Sequence, residues 1–214
     1  MKSVITAAAL AALAGGASAD ILSSTGAVYS EKTASQPGNV YTPQVTRDGA
    51  TYVFDLSGIQ SWDTLSSPNN TVVNLDLAAA LGLASGTSIA FNGIAWDVTI
   101  QTIGGSWLSE AVIYFDDNVA PDLSGLFLTP GVGVTTPGTA SFSSGGILKL
   151  ADAGIPDIVL PNGILRMEFF ESFDDVSGAA DANWSGTLTL QATPAPGTLA
   201  LIGLGGLAAT RRRR

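Results

Sequence analysis

Gly93-Ile94-Ala95-Trp96-Asp97-Val98-Thr99-Ile100 places large apolar side chains at Ile94, Trp96, Val98 and Ile100, with small or polar ones between them. A period of two is the signature of a strand with one face in a core and the other in water. Trp184-Ser185-Gly186-Thr187-Leu188-Thr189-Leu190 repeats it through Trp184, Gly186, Leu188 and Leu190. Outward from these two, strands are predicted at 26–30, 41–46, 51–56, 71–75, 87–91, 94–103, 108–115, 125–128, 139–143, 158–160, 164–173 and 184–191. Turn pairs punctuate them, among them Pro37-Gly38, Asp48-Gly49, Asn92-Gly93, Gly104-Gly105, Pro137-Gly138, Gly145-Gly146 and Asn162-Gly163, each supplying the backbone freedom that a reversal needs. Two short helices are expected, Asp76 to Leu83 with Asp76 as N-cap, and Leu148 to Ala153. The reading is all-β: an antiparallel two-sheet β-sandwich, jelly-roll-like, with one or two short helices in its connections.

Composition agrees and excludes much chemistry. The 214 residues are 46% apolar and only 13% charged, with 25 Gly, 10 Pro, no His and no Cys. Without His and Cys there is no Ser-His-Asp triad, no thiolate nucleophile, no conventional zinc site and no disulfide framework. Five of the nine basic residues are Lys2 and Arg211, Arg212, Arg213 and Arg214; between Asp20 and Pro194 four basic residues face all 18 acidic ones, a balance of −14. Such a body repels phosphate backbones, and nucleic acid is excluded as a partner.

The two ends differ from the body. Residues 1–19 carry Lys2, an apolar run from Val4 to Ala14 and the triplet Ala17-Ser18-Ala19, the order of a secretory signal peptide. Small side chains at Ala17 and Ala19 suit a signal peptidase, so cleavage is expected before Asp20. Residues 193–214 contain Pro194-Ala195-Pro196, an apolar run from Leu199 to Ala209 and the four arginines. The prolines keep the chain extended, the run is lipid-compatible though shorter than the roughly 20 residues of a full span, and the arginines favour the cytoplasmic side. The exported domain is therefore expected at 20–192.

This tail resembles the PEP-CTERM sorting signal of Gram-negative bacteria, in which Pro-Glu-Pro precedes a transmembrane stretch and an arginine cluster. It departs from that pattern at Ala195, which stands where the signal has Glu. The resemblance implies export, transient anchoring in the inner membrane, recognition by an exosortase and delivery to the cell surface or extracellular matrix. Gly93 to Glu110 and Phe169 to Asp175 are also similar to stretches of PEP-CTERM protein bodies, and bring no catalytic residues with them. A non-enzymatic structural or adhesive component is the expected function. A carbohydrate-binding module on the same sandwich is the alternative, and a polysaccharide-active enzyme the third reading.

Three constellations could carry chemistry. Tyr114-Phe115-Asp116-Asp117 and Ser172-Phe173-Asp174-Asp175 end two strands alike, the second followed by Asp181. Asp116, Asp117, Asp174, Asp175 and Asp181 are candidate Ca²⁺ ligands, since Ca²⁺ takes six to eight oxygens in flexible loops; the alternative is a solvated acidic loop. Trp62 and Trp107 lie beside turns and are candidates for a glycan platform, against closing the ends of the core; extracellular polysaccharide would then be a partner. Glu110, Glu168 and Glu171 are the candidate glycosidase carboxylates, but Glu168 and Glu171, three apart on a strand, should face opposite sides.

Overall fold

The computed structural model describes residues 51–195 in full, together with the backbone of the strand segments 22–23 and 45–48. The expected signal peptide with Ala17, Ala19 and Asp20, the strand at 26–30, and Pro196 with Arg211, Arg212, Arg213 and Arg214 lie outside the described residues.

Among the described residues thirteen strands are found: β1 (Leu22–Ser23), β2 (Val45–Asp48), β3 (Thr51–Asp55), β4 (Ile59–Ser61), β5 (Thr71–Asp76), β6 (Ile89–Thr102), β7 (Ala111–Asp117), β8 (Leu126–Leu128), β9 (Thr139–Ser143), β10 (Leu148–Lys149), β11 (Ile158–Leu160), β12 (Ile164–Glu171) and β13 (Ala182–Pro194). They form two sheets, one in the order β1-β8-β7-β12-β5 and the other β10-β6-β13-β3-β2, with β9 and β11 also on β6 and β4 also on β13. Every pairing is antiparallel. The chain crosses between sheets after β1, β4, β5, β6, β8, β11 and β12, giving the expected jelly-roll-like sandwich.

Both decisive stretches face the core. Ile94, Trp96, Val98 and Ile100 of β6 and Trp184, Leu188 and Leu190 of β13 are buried in one cluster with Val73, Leu75, Phe115, Leu165, Met167 and Phe169 of the other sheet. A smaller cluster of Leu65, Val112, Tyr114, Phe127 and Phe170 covers the outer face of the β7–β12 pair. Removing this much apolar surface from water is the main stabilising term of the fold.

Where the expectation fails, the local signal had a second reading. Asn92-Gly93 is no hairpin turn: β6 runs unbroken from Ile89 to Thr102, and the pairing with β13 shifts register where Gln191 and Ala192 meet it. The pair absorbs one extra residue as a bulge, which explains why the inward positions step by three from Phe91 to Ile94 rather than by two. Leu148 to Ala153 is split between β10 and a single 3₁₀ turn at Leu150–Ala153 closed by Gly154 in the left-handed region. The predicted helix at Asp76 shrinks to α1 (Leu77–Ala80), with the Asp76 carboxylate accepting from Ala79 N as expected. β4 was not foreseen, because three residues are too few to show a period.

Gly186 sits opposite Val98 in the central ladder at φ +94°, and a Cβ there would stand 2.2 Å from the Asp97 carbonyl oxygen. Gly58 has a similar φ, +86°, but open space around it. Gly58→Ala is therefore expected to cost about 1 kcal/mol from backbone conformation alone, whereas Gly186→Ala adds a backbone clash and should cost roughly 2–4 kcal/mol. Urea denaturation of the two variants tests this, and equal losses would show that the steric argument is wrong.

Candidate functional site

The end of the sandwich where β4, β6 and β12 finish and β7 and β13 begin gathers five carboxylates. On β12 the inward alternation of Leu165, Met167 and Phe169 continues to Glu171, which is thereby carried between the sheets and is 0% exposed. The Trp184 indole Nε1 donates to Ser61 Oγ at 2.9 Å, and the Ser61 hydroxyl donates to Glu171 Oε1. Glu171 N donates to the Asp63 carbonyl at 2.9 Å. This chain of bonds ties the second sheet to the first through a buried acid. Asp181, also 0% exposed, accepts at Oδ1 from Ser106 Oγ at 2.8 Å and Val176 N at 2.9 Å, while its own N–H donates to the Ser61 carbonyl at 3.0 Å. Glu171 Oε2 and Asp181 Oδ2 are buried without a hydrogen-bond partner.

Electrostatics at this pole run in one direction. Burial holds the Glu171 carboxyl well above the usual range, opposed by the Ser61 bond and reinforced by Asp181, Glu110 and Asp175. Asp181 is pushed up to about 6 by burial, with Asp174 and Asp175 adding to it against the bonds from Ser106 and Val176. Glu110 is also raised, first by burial and then by Asp175, although Trp107 N donates to its carboxylate at 2.6 Å. No positive side chain among the described residues offsets this. Arg166 pairs with Glu168 at 2.5 Å, and Lys149 lies opposite Gly93, nine residues along β6 from Thr102, roughly 30 Å away.

Glu168 and Glu171 do face opposite sides of the sheet. Glu168 lies on the outer face, where it accepts from Ser66 N at 2.6 Å, Asn70 Nδ2 at 2.9 Å and Arg166, and so clamps the 63–70 loop to β12. That loop is closed internally as well, with Ser67 Oγ and Asn69 Nδ2 donating to the Asp63 carboxylate. Glu110 belongs with Glu171: its carbonyl accepts from Ser172 N at 2.8 Å, just past the end of β12.

The five aspartates singled out for Ca²⁺ do not form one site. Asp174, Asp175 and Asp181 lie at the pole just described. Asp116 and Asp117 are at the far end of β7, where they pair with Arg166 and Leu165 at the start of β12, about 20 Å distant along the strands. There Asp116 accepts from Tyr114 OH, Asp117 N and Asp122 N, and Asp117 accepts from Val119 N and Ala120 N. These two carboxylates fold the 118–124 loop; burial, together with the bond to Asp116, raises the Tyr114 hydroxyl. Among the described residues no group of three or more acidic side chains is arranged to hold a metal ion.

Trp107 is 43% exposed at the acidic pole, with Phe173 at 60% on the neighbouring loop. Trp62, between the Ser61 and Asp63 that hold Glu171, is half-buried, with its indole N–H enclosed and without a partner. Ser61 and Ser106, the two hydroxyls that serve the buried acids, are legible only in retrospect: Ile59 and Ser61 share one parity of a strand too short to recognise.

Pro194, the start of the processing triplet, is the last residue of β13 and pairs with Ile89, and Ala195 N, one residue on, donates to the Ser88 carbonyl at 3.0 Å. Residues 192–214 match the family model described as the PEP-CTERM protein-sorting motif. The chain thus carries the sorting motif of an exported protein, with an exosortase as the processing partner the motif implies. No curated protein matches the chain. Among solved structures it is similar to a chain of tobacco necrosis virus, at 11% identity and a TM-score of 0.23, covering 81% of this chain and 97% of that one. It is also similar to VP2 of the infectious bursal disease virus subviral particle, at 16% identity and 0.25, covering 70% of this chain and 34% of that one. Superpositions this loose imply nothing about what the protein does. No helix among the described residues is long and apolar enough to cross a membrane.

The pole also predicts a pH dependence. Glu171 and Asp181 have folded pKa values above their unfolded ones, so their stabilisation is complete below the ordinary carboxylate range and is lost as pH rises through the folded values. Asp181 places that loss between 3.8 and about 6, and Glu171 extends it upward from 4.5. Glu171→Gln keeps the acceptor for Ser61 and removes the buried charge. It should raise stability near pH 8 by roughly 1–3 kcal/mol and change it little near pH 4. Thermal melts across this range test the point, and an equal shift at both ends would refute it.

Proposed function

We propose that this chain is a non-enzymatic, exosortase-sorted β-sandwich that serves as a structural or adhesive component of the cell envelope or extracellular matrix. The observation that carries this reading is the position of the sorting motif: residues 192–214 open within the last three residues of β13, a central strand of the sandwich, so that body and address overlap in one strand. The absence of a catalytic role is supported by how the candidate carboxylates are engaged. Glu168 is occupied by Ser66, Asn70 and Arg166 on one face, and Glu171 is enclosed between the sheets on the other.

Mass spectrometry of the mature protein from fractionated host cells is the deciding experiment. The expected species begins at Asp20, lacks the arginine cluster and is found in the envelope or medium; deletion of the host exosortase should leave the tail attached. A cytosolic protein with both ends intact would overturn the reading.

Carbohydrate binding is a second reading, favoured by one feature. Trp107 and Phe173 are both exposed and are joined through Glu110, which accepts from Trp107 N with its carboxylate and from Ser172 N with its carbonyl. Exposed aromatic faces beside acidic hydrogen-bonding groups suit the apolar faces and hydroxyls of sugar rings. If this pole binds glycan, Trp107→Ala should weaken retention on immobilised polysaccharide about tenfold or more, while Trp62→Phe should leave it unchanged. Retention insensitive to Trp107 would remove the reading.

A further inference from the structure

We propose that the head of the sorting motif is masked by the domain it serves: the end of β13 holds Pro194 and Ala195, the first two residues of the processing triplet, against Ile89 and Ser88, and they become available only when that strand end peels away. The proposal rests on the exosortase reading above and goes beyond it by assigning a conformational step to this chain. The matched motif opens at Ala192, which is 0% exposed and belongs to the main core. Thr193 pairs with Ala90 and Pro194 with Ile89, and Ala195 N donates to the Ser88 carbonyl at 3.0 Å. Asn92 Nδ2 adds a bond to Thr193 Oγ1 at 3.2 Å. A processing enzyme reads its substrate as an extended segment with its backbone groups free, and here one edge of that segment is occupied by β6.

The ladder is built to separate at this point. From Thr187 to Gln191, β13 is paired on both sides, with β3 and with β6. Its pairing with β3 stops at Gln191, and the register shift against β6 falls between Gln191 and Ala192. The bulge therefore divides a strand held on both sides from an end that, among the described residues, is paired on one side only and begins where the motif begins. One-sided strand ends open locally far more readily than the core, so the mask restrains processing without preventing it. Distance adds to the restraint. Only Pro196, Gly197 and Thr198 separate Ala195 from the apolar run opening at Leu199, a reach of at most about 14 Å.

The test is pulse-chase measurement of tail removal from the full chain in a host with active exosortase. Six Gly/Ser residues inserted between Thr193 and Pro194 free Pro194 and Ala195 from Ile89 and Ser88, and Asn92→Ala loosens the end without touching the motif. Ala90→Cys combined with Thr193→Cys fastens it, in a chain that has no other cysteine. Tail removal should quicken roughly five- to tenfold with the insertion, the factor implied by losing about one hydrogen bond. It should quicken less with Asn92→Ala, and stall in the oxidised double variant until reductant is added. Equal rates in the wild type and all variants would overturn the mask while leaving exosortase sorting intact. Absence of tail removal even from the insertion variant would overturn the sorting reading, and the mask with it.

Discussion

The pairing of β13 with β6 is the constraint on which the rest depends. It runs from Ala182 opposite Thr102 to Pro194 opposite Ile89, and nearly every inward side chain along it meets the other sheet in a single core. One ladder thus supplies the spine of the larger sheet, half of the sandwich interior and the connection between the two poles. A strand pair of this length tolerates little at its centre, which is why Gly186 must be without a side chain where the Asp97 carbonyl passes. It also leaves its two ends free to differ in character.

At the first end the ladder delivers Ala182 and Trp184 beside buried acid. Glu171 and Asp181 stand between the sheets with hydroxyls from Ser61 and Ser106 as their partners and no cation nearby among the described residues. Buried carboxyls without counter-charge are ordinarily expensive. Here the hydroxyls satisfy one oxygen of each, and the raised proton affinity of the groups limits the remaining penalty. The exposed Trp107 and Phe173 flank this pole. At the other end, twelve residues and about 40 Å along β13, the strand enters the sorting motif. The pole with the unusual chemistry is therefore remote from the point where the strand enters the motif.

Much was legible in the residues because the determining interactions are local or periodic. Alternation revealed β6 and β13, since a strand with one buried face must place its apolar groups two apart. Asp76 as a cap, and the opposite facing of Glu168 and Glu171, follow from geometry within a few bonds. The order of Pro-Ala-Pro, apolar run and arginines is read linearly, and the family match at 192–214 agrees with it. What failed was ambiguous at short range: Asn-Gly serves a hairpin or a bulge equally well, and only the parity change from Phe91 to Ile94 distinguishes them.

The amino-acid order by itself determined the fold class, the acidic balance of the body and the presence of the sorting motif, because burial pattern, charge and linear motifs are properties of neighbours along the chain. Tertiary structure alone decided which acids share a pole, dividing Asp116 and Asp117 from Asp174, Asp175 and Asp181 and bringing Glu110 to Glu171. It also decided that the motif's first residues belong to the sheet. Both outcomes depend on pairing partners tens to more than a hundred residues away, such as Ser61 with Glu171 and Ser88 with Ala195, and register between distant strands is set by the packed core rather than by any local signal.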